Sequence, residues 1–169
     1  MTASLSTASP EFVITHTAHA PRERVWRAFT DREEFMRWFG PAGFTMPACT
    51  LDLRPGGACH YDVRSPEGLD IWGKWVYRDI EAPAKLVYTM TFSDAEGGIT
   101  RHPMSATWPI EHLSTMTFVE GDGTTEITLR SHPINSTDEE LDAYKASLSG
   151  MQQGWGGTFG RLDEYLAAN

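Results

Sequence analysis

The C-terminal part of the chain carries a single apolar stripe, and this stripe constrains the architecture more than any other feature. Apolar side chains recur there at every third or fourth position: Leu141, Tyr144, Leu148, Met151, Trp155, Phe159, Leu162 and Leu166. The spacing predicts one amphipathic helix of about thirty residues, opened by a capping box at Ser136 and Glu139. A helix with one long apolar face must bury that face against another layer, so the preceding chain has to supply a sheet or further helices.

Five glycines interrupt the stripe, at Gly150, Gly154, Gly156, Gly157 and Gly160. Each glycine costs roughly 1 kcal/mol relative to alanine in a helix interior, so together they give up about 5 kcal/mol of helix propensity. Two explanations remain open at this stage. Either the helix backbone approaches the sheet closely, or the helix kinks beside a cavity.

The chain before this helix has the pattern of short strands separated by tight turns. Alternating residues predict a strand at 12–17, and two short helices follow, one after Pro21 and one opened by Asp31 and Glu34. Turn residues then separate further predicted strands at 49–53, 58–64, 71–80, 86–92, 113–119 and 125–129. Short strands joined by tight turns favour an antiparallel meander over parallel βαβ units. The predicted class is α+β, with a curved antiparallel sheet of about six or seven strands, two short helices and a long C-terminal helix.

Length and composition indicate one domain. The 169 residues, 40% hydrophobic and 22% charged, suffice for a single core. We expect residues 1–10, which are small and polar, to form a flexible arm, and residues 11–169 to form the domain. The start of the chain lacks the pattern of a signal peptide, and no window has the length of a membrane span. We therefore expect a cytoplasmic protein.

The net charge of −9 narrows the possible partners. An acidic chain without a basic run does not favour nucleic acid or an anionic membrane. Small molecules and proteins remain. Glycine-rich helix faces and exposed aromatic residues are compatible with a homodimer, although nothing in the sequence specifies one.

The two cysteines, Cys49 and Cys59, flank a tight turn at Arg54-Pro55-Gly56-Gly57. A two-residue loop at Pro55-Gly56 would place Cys59 opposite Asp52 and put Cys49 on the other face of the sheet. This register predicts two half-buried thiols that form no disulfide.

Several motifs resemble the START-like superfamily, also called SRPBCC or birch-pollen-allergen-like. They are the segments 20–26 (APRERVW), 38–41 (WFGP), 54–57 (RPGG) and 83–88 (PAKLVY), and the pair Gly154-Trp155 in the last helix. The resemblance covers about residues 12–166. Within the superfamily, the chain resembles in particular the proteins named for homology to the activator of the heat-shock protein 90 ATPase.

The resemblance implies a helix-grip fold, in which a curved antiparallel sheet and a long C-terminal helix enclose an internal cavity. It does not imply one function. The superfamily includes lipid carriers, hormone receptors, polyketide cyclases, self-resistance proteins and co-chaperone domains, so the function has to be argued from the site.

The aromatic and methionine residues of the predicted inner faces are the candidate binding surface. Alternation on the strands and the stripe of the last helix point them toward one interior. We expect an apolar, ring-bearing ligand there, although the same side chains could also interdigitate and leave no cavity. The candidate ligand-binding residues are Trp38, Phe44, Trp75, Tyr77, Tyr88, Met90, Met104, Trp108, Phe118, Met151 and Trp155.

A stretch of about twenty residues between Phe92 and Leu113 has no clear period, and long loops of this kind are often lids. It contains Met104 and Trp108, which we place at the mouth of the cavity together with Trp38. The alternative is that Trp108 only closes one end of the core. His102 is the candidate polar contact to a ligand.

Catalytic and metal-binding patterns are missing from the sequence. The six histidines have no metal-ligand spacing, and phosphate loops, serine elbows and dinucleotide fingerprints do not occur. We expect no metal, no cofactor and no catalytic residue. His60 and Asp62 share one face of a strand, where an acid/base pair is possible but a solvated polar face is the expected outcome.

We therefore expect a carrier or sequestering protein for a small hydrophobic molecule, with binding favoured over catalysis. An enzyme of the polyketide-cyclase or dehydratase type is the alternative. Stimulation of the heat-shock protein 90 ATPase is the least favoured function. The eukaryotic activator makes its main chaperone contact through a separate N-terminal domain, for which these 169 residues leave no room.

Overall fold

The computed structural model of the chain describes residues 10–169, so the predicted arm falls outside the described residues except for Pro10. In chain order the elements are β1 (Phe12–Ala18), α1 (Arg22–Thr30), α2 (Arg32–Trp38), β2 (Thr45–Leu51), β3 (Ala58–Arg64), β4 (Asp70–Glu81), β5 (Lys85–Ser93), β6 (Ile99–Thr100), β7 (Glu111–Glu120), β8 (Thr125–Ile134), α3 (Asp138–Ala146) and α4 (Leu148–Ala168).

All strands belong to one antiparallel sheet with the order β1-β8-β7-β5-β4-β3-β2, and the two-residue β6 pairs with the end of β5. Consecutive strands from β2 to β5 and from β7 to β8 are neighbours, as the meander prediction requires. The pair α1 and α2 connects β1 at one edge of the sheet to β2 at the other. The α+β class, the helix-grip arrangement and the curved antiparallel sheet predicted from sequence are confirmed.

Alternating burial shows which face of the sheet is covered. In β7 and β8 every second side chain is buried, and the buried set includes Met116, Phe118, Ile127 and Leu129. Helices α1 and α2 pack across one end of this inner face. The rings of Trp26 and Phe29 meet that of Phe118 edge to face, with centroids 5.5 and 5.3 Å away.

The short helices start where the sequence signals place them. The Asp31 carboxylate caps α2 by accepting hydrogen bonds from the backbone amides of Glu33 and Glu34, at 3.0 and 3.1 Å. Because the Glu34 side chain bonds Arg24, Arg27 and Tyr165, it does not complete a reciprocal capping box. Asp31 therefore acts as a cap, and Glu34 acts as a tertiary contact.

The prediction of one continuous C-terminal helix is wrong, because the structure divides it at Ser147. This residue has φ −100° and ψ 0°, and its hydroxyl donates to the Ala143 carbonyl at 2.9 Å. Such back-bonding by serine bends helices. The capping box lies one residue later than predicted, at Thr137 and Glu140. The predicted residues, Ser136 and Glu139, have the same spacing as Thr137 and Glu140. In the capping box that forms, Glu140 also makes an ion pair with Arg101.

Close packing does not explain the glycines of α4. A Cβ added at Gly150, Gly154, Gly156, Gly157 or Gly160 would meet no atom within 4 Å, and all five residues are exposed. The explanation by close approach to the sheet is therefore excluded. The kink lies before the first of these glycines, so they do not form it either.

Contacts hold the second half of α4 more firmly than the first. Phe159 and Leu162 are fully buried, and the His16 ring stacks on Phe159 with centroids 4.8 Å apart. His16 also contacts the Asp163 carboxylate at 2.9 Å. In the first half, from Leu148 to Gly157, the only partly buried side chains are Leu148, Met151 and Trp155, and the other residues are exposed. This half of α4 is attached to the domain through a few apolar side chains.

The predicted arrangement of the cysteines is wrong by one residue of register. Cys59 pairs with Leu51, and Cys49 pairs with Tyr61, which places both thiols on one face. A slip of one residue exchanges the faces of a strand. The Asp52 amide donates to the Ala58 carbonyl at 3.0 Å, so the turn between these two residues is longer than the predicted two-residue loop. Both cysteines are buried and free, and their thiols contact each other.

Within the described residues, no helix has the length and apolar character needed to cross a membrane.

The open space around the α4 glycines yields a test of stability. We expect Gly156→Ala and Gly157→Ala each to raise the free energy of unfolding by about 0.5–1 kcal/mol, because alanine lowers the entropic cost of the helix without a clash. Urea denaturation measures this effect.

Gly73→Ala is the matched control. Its Cβ would lie 2.6 Å from the Tyr61 ring, so this change should destabilise the protein. A loss of stability in both helix variants would contradict the open environment seen at Gly156 and Gly157.

Candidate ligand-binding cavity

A cavity of about 300 Å³, partly open to solvent, lies between the inner face of the sheet and the first half of α4. Nine of its lining residues are aromatic: Phe12, Phe39, Tyr61, Trp72, Trp75, Tyr88, Phe92, Trp108 and Trp155. The aliphatic and glycine positions are Gly40, Pro41, Val63, Ile71, Gly73, Met90, Leu129, Met151 and Gly154. The polar positions are His112, Ser114, Ser131 and Thr158. The side chains converge from β1, β3, β4, β5, β7, β8, α4 and two connecting segments.

The aromatic walls pack against one another and leave the hollow between them. The Trp75 and Tyr88 rings stack with centroids 4.2 Å apart and an angle of 16° between their planes. Phe39 meets Trp75 and Trp155 edge to face, at 5.5 and 5.9 Å. These three ring contacts brace one side of the cavity, so this part of the wall is preformed before any ligand enters.

The wall is electrically neutral. The described residues that line the cavity include no Asp, Glu, Lys or Arg. The Ser114 hydroxyl donates to that of Ser131 at 3.0 Å, and the Thr158 hydroxyl donates to the Gly154 carbonyl at 3.1 Å. Burial raises the pKa of Tyr61 and Tyr88 well above the ordinary value, so both phenols stay protonated.

His112 is the polar group that stands out. It is 5% exposed, and its Nε2 has no hydrogen-bond partner among the described residues. The Trp108 and Tyr144 rings flank the imidazole, with centroids 5.6 and 5.3 Å away. Burial lowers the pKa of His112 to about 4, although a hydrogen bond with the Met90 backbone acts to raise it. His112 is therefore neutral at physiological pH.

A second, more open hollow lies outside the cavity, between the loop after β6 and the α3–α4 junction. Its lining residues are His102, Ser105, Trp108, Ala143, Ala146, Ser147, Ser149, Gly150 and Met151. Trp108 and Met151 line both hollows and so form the partition between them.

Arg101 fixes the loop that carries Trp108. Its Nη1 donates to the backbone carbonyls of Ala106 and Trp108, at 3.0 and 3.4 Å, and to the Glu140 carboxylate at 2.8 Å. One guanidinium thus connects the loop to the first turn of α3. Hydrogen bonds from the Thr137 backbone, together with Arg101, hold the pKa of Glu140 below its ordinary value, so this carboxylate is ionised.

Comparison with known proteins assigns the chain to a family. The family described as "Activator of Hsp90 ATPase homolog 1-like protein" matches residues 19–167, which is nearly all of the domain. The chain belongs to this family. A search of the curated proteins gave no significant match.

Solved bacterial structures share the family fold. A protein from Mycobacterium smegmatis superposes with a TM-score of 0.75 at 24% identity, over 94% of this chain and 91% of its own. A Nitrosomonas europaea protein superposes with a TM-score of 0.74 at 22% identity, over 95% of this chain and 96% of its own. A Silicibacter pomeroyi protein that bears the family's name has a TM-score of 0.72 at 17% identity, over 94% of this chain and 99% of its own. At these identities the likeness shows the fold alone.

The structure brings six of the eleven sequence-predicted binding residues to the cavity: Trp75, Tyr88, Met90, Trp108, Met151 and Trp155. The loop between β6 and β7 therefore does place Trp108 against the cavity. These side chains thus line a partly open cavity, whereas the alternative expectation was a core that they fill completely.

The other predicted binding residues lie elsewhere. Trp38, Tyr77 and Phe118 are buried in the core, and the Trp38 indole donates to the Ala28 carbonyl at 2.9 Å. Phe44 packs partly buried against that core, and Met104 is 76% exposed. His102 borders the outer hollow, where its Nδ1 accepts from the Met104 amide at 2.9 Å. The alternation of side chains along the strands correctly predicted which residues point inward. It could not distinguish the closely packed end of the core around Phe118 from the end that contains the cavity.

Sequence reasoning missed the polar end of the cavity. His112, Ser114 and Ser131 are inward positions of β7 and β8, and the two serines face each other across the strands. The sequence signal was the alternation itself, because His112 and Ser114 continue the inward positions of Met116 and Phe118, and Ser131 continues those of Ile127 and Leu129. Strand prediction began β7 at Leu113 and ended β8 at Leu129, so His112 and Ser131 were left outside it.

The expectation of a solvated face at His60 and Asp62 is wrong for Asp62, which is 2% exposed. His60 stacks on Trp72, with centroids 4.9 Å apart, and contacts the Asp94 carbonyl at 3.0 Å, away from any acid/base pairing with Asp62. Burial, followed by the neighbouring Asp70 carboxylate, raises the pKa of Asp62 to about 6.

Across residues 10–169, no cluster of three or more His, Cys, Asp or Glu side chains has the geometry to hold a metal ion.

The buried Asp62 carboxyl predicts how stability changes with pH. Its pKa is about 6 in the folded protein and about 3.9 in an unfolded chain, so stability from this group is present below about pH 4 and is lost as the pH rises through 6. We therefore expect Asp62→Asn to remove this loss. Urea unfolding from pH 4 to 8 measures it.

The stability of the Asn variant relative to the wild type should increase between pH 4 and 6 and stay constant above about pH 7. Asp122→Asn, in the exposed β7–β8 turn, controls for the change in net charge. A difference between the Asp62 variant and the wild type that does not vary with pH would contradict the assignment.

Proposed function

We propose that this protein binds a neutral, largely apolar, ring-bearing small molecule in its internal cavity and serves as a carrier or sequestering protein. The observation that supports this most directly is the preformed aromatic wall without a charged side chain. Binding sites for small molecules are typically concave, mostly apolar and equipped with a few polar groups. The cavity has this composition.

The cavity volume suggests a size for the ligand. A cavity of about 150 Å³ lined by apolar side chains can hold benzene. The volume of about 300 Å³ found here is twice as large and suits a molecule of about two fused rings. The stacked Trp75 and Tyr88 offer a flat surface, which favours a planar ligand.

Charge complementarity argues against an ionised ligand. An ion inside the cavity would lose its hydration and would meet no opposite charge there, because the histidine and tyrosines that line it are uncharged. A carboxylate, phosphate or ammonium group could be accommodated only outside the cavity. We infer that the ligand's ring system is uncharged where it contacts the walls.

Catalysis of the polyketide-cyclase type is a second candidate, which the presence of a buried histidine favours. A general base works best when its pKa lies near the operating pH. The pKa of about 4 makes the imidazole of His112 a weak base at neutral pH, and the raised pKa values of Tyr61 and Tyr88 make them weak acids. Binding therefore remains the preferred function.

A reducing, cytoplasmic setting fits this proposal. Cys49 and Cys59 are both free although their thiols contact each other. Thiols stay reduced in the cytosol, where disulfides are rare.

The first test is native mass spectrometry of the protein as purified, followed by denaturing extraction. We expect an additional mass that denaturation releases, with the composition of an uncharged aromatic compound. Met90→Trp should reduce the bound fraction at least tenfold, because the larger ring fills part of the cavity from its wall.

Met104→Trp is the matched control, since it makes the same substitution at an exposed position. It should leave the bound fraction unchanged. An equal effect of the two substitutions, with both variants folded by circular dichroism, would contradict the internal cavity as the binding site.

A further inference from the structure

We propose that the ligand carries a hydroxyl group, and that this hydroxyl hydrogen-bonds to His112 and the adjoining Ser114 at the polar end of the cavity. The inference rests on the proposed function, because it concerns the chemistry of the molecule that enters that cavity. It makes His112 a specificity-determining residue.

The first argument is the missing partner of His112. Buried polar atoms in proteins are nearly always hydrogen-bonded, and leaving one unpaired costs about 1–3 kcal/mol. The His112 Nε2 is shielded from solvent and has no hydrogen-bond partner among the described residues. Its ring borders the cavity, so a ligand atom can supply the missing hydrogen bond once a neighbouring side chain moves aside.

The second argument is the neighbourhood of His112. Ser114 follows two positions later on β7 and therefore points to the same side of the sheet. Its hydroxyl donates to Ser131 on β8 at 3.0 Å and also contacts the Tyr88 hydroxyl, and one lone pair of its oxygen remains able to accept. The polar groups of this end are concentrated on β7 and β8, whereas the opposite walls are aromatic. A ligand with one polar end and one aromatic body matches this division.

The third argument concerns the kind of polar group. A neutral imidazole nitrogen either donates or accepts, depending on its tautomer, and a serine hydroxyl does both. A hydroxyl on the ligand can donate and accept, so it satisfies either tautomer. A carbonyl or an ether can only accept, and a carboxylate would bring an unpaired charge into the cavity. The hydroxyl is thus the group that fits every arrangement of the protons at this end.

The position of Trp108 suggests how the hydroxyl gains access. Trp108 lies against His112, with ring centroids 5.6 Å apart, and belongs to the partition between the two hollows. Because Nε2 is shielded from solvent, a ligand can bond it only after a neighbouring side chain moves aside. Because Trp108 is carried by a loop, it can move without rearranging the sheet.

The test compares three two-ring probes by isothermal titration with the full-length protein. They are 2-naphthol, which has a hydroxyl, 2-methoxynaphthalene, which can only accept, and 2-naphthoate, which is charged. We expect 2-naphthol to bind at least fivefold more tightly than the methoxy compound, and 2-naphthoate to show no measurable binding.

Variants locate the effect within the cavity. His112→Phe should remove the preference for 2-naphthol while retaining affinity for 2-methoxynaphthalene. His102→Phe, which makes the same substitution at the outer hollow, should retain the preference. If His112→Phe does not fold, the imidazole nitrogen shifts of the wild-type protein in NMR replace it, and His112 should shift with 2-naphthol and not with the methoxy compound.

The outcomes separate this inference from the proposed function. Equal affinities of 2-naphthol and 2-methoxynaphthalene would overturn the inference and leave the proposed function standing. A preference that persists in His112→Phe, or a His112 signal that responds equally to both probes, would also overturn it. If neither probe binds, the proposed function fails for ligands of this size, and the inference fails with it.

Discussion

The Glu34 carboxylate joins three helices, and the position of the C-terminal helix depends on it. One oxygen accepts from Arg24 and from the Tyr165 hydroxyl, the latter at 3.0 Å, and the other accepts from Arg27 at 2.9 Å. Charge-assisted hydrogen bonds of this kind are stronger than neutral ones, and Glu34 is mostly buried. They fix the end of α4 against α1 and α2. The buried Phe159 and Leu162 then hold the adjoining turns to the core.

Because α4 is held at its second half, its first half extends over the sheet without comparable contacts. The roof of the cavity consists of Met151 and Trp155 on a helix segment whose glycines have open space around them. Larger residues at those positions would strengthen the helix by about 1 kcal/mol each. The part of α4 over the cavity is therefore less stable as a helix, and the stabilising contacts of α4 lie in its second half. This distribution of contacts is what leaves a hollow between helix and sheet.

Sequence periodicity predicted the elements and the helix-grip fold because both depend on which side chains face inward. It failed where one residue of register or one backbone torsion decides the outcome. The extended turn before Ala58 placed Cys49 on the face of Cys59, and a single residue, Ser147, divided the predicted helix. The filled core around Phe118 and the hollow beside Tyr88 have the same strand pattern. The covering helices separate them, because α1 packs on Phe118 whereas the first half of α4 lies over the hollow. The path of α4 depends on long-range contacts such as the one between Glu34 and Tyr165.

The buried polar atoms without partners support a binding cavity over an imperfect core. The Asp62 carboxyl avoids the cost of a buried charge below about pH 6, where it keeps its proton. The Tyr77 hydroxyl lies in contact with the Cys59 thiol. The His112 nitrogen has neither remedy, because the imidazole is already neutral and its Nε2 has no hydrogen-bond partner among the described residues. Its position at the edge of a hollow means that a molecule entering the cavity can pair with it. A polar atom that only an incoming molecule can satisfy contributes to binding instead of stability.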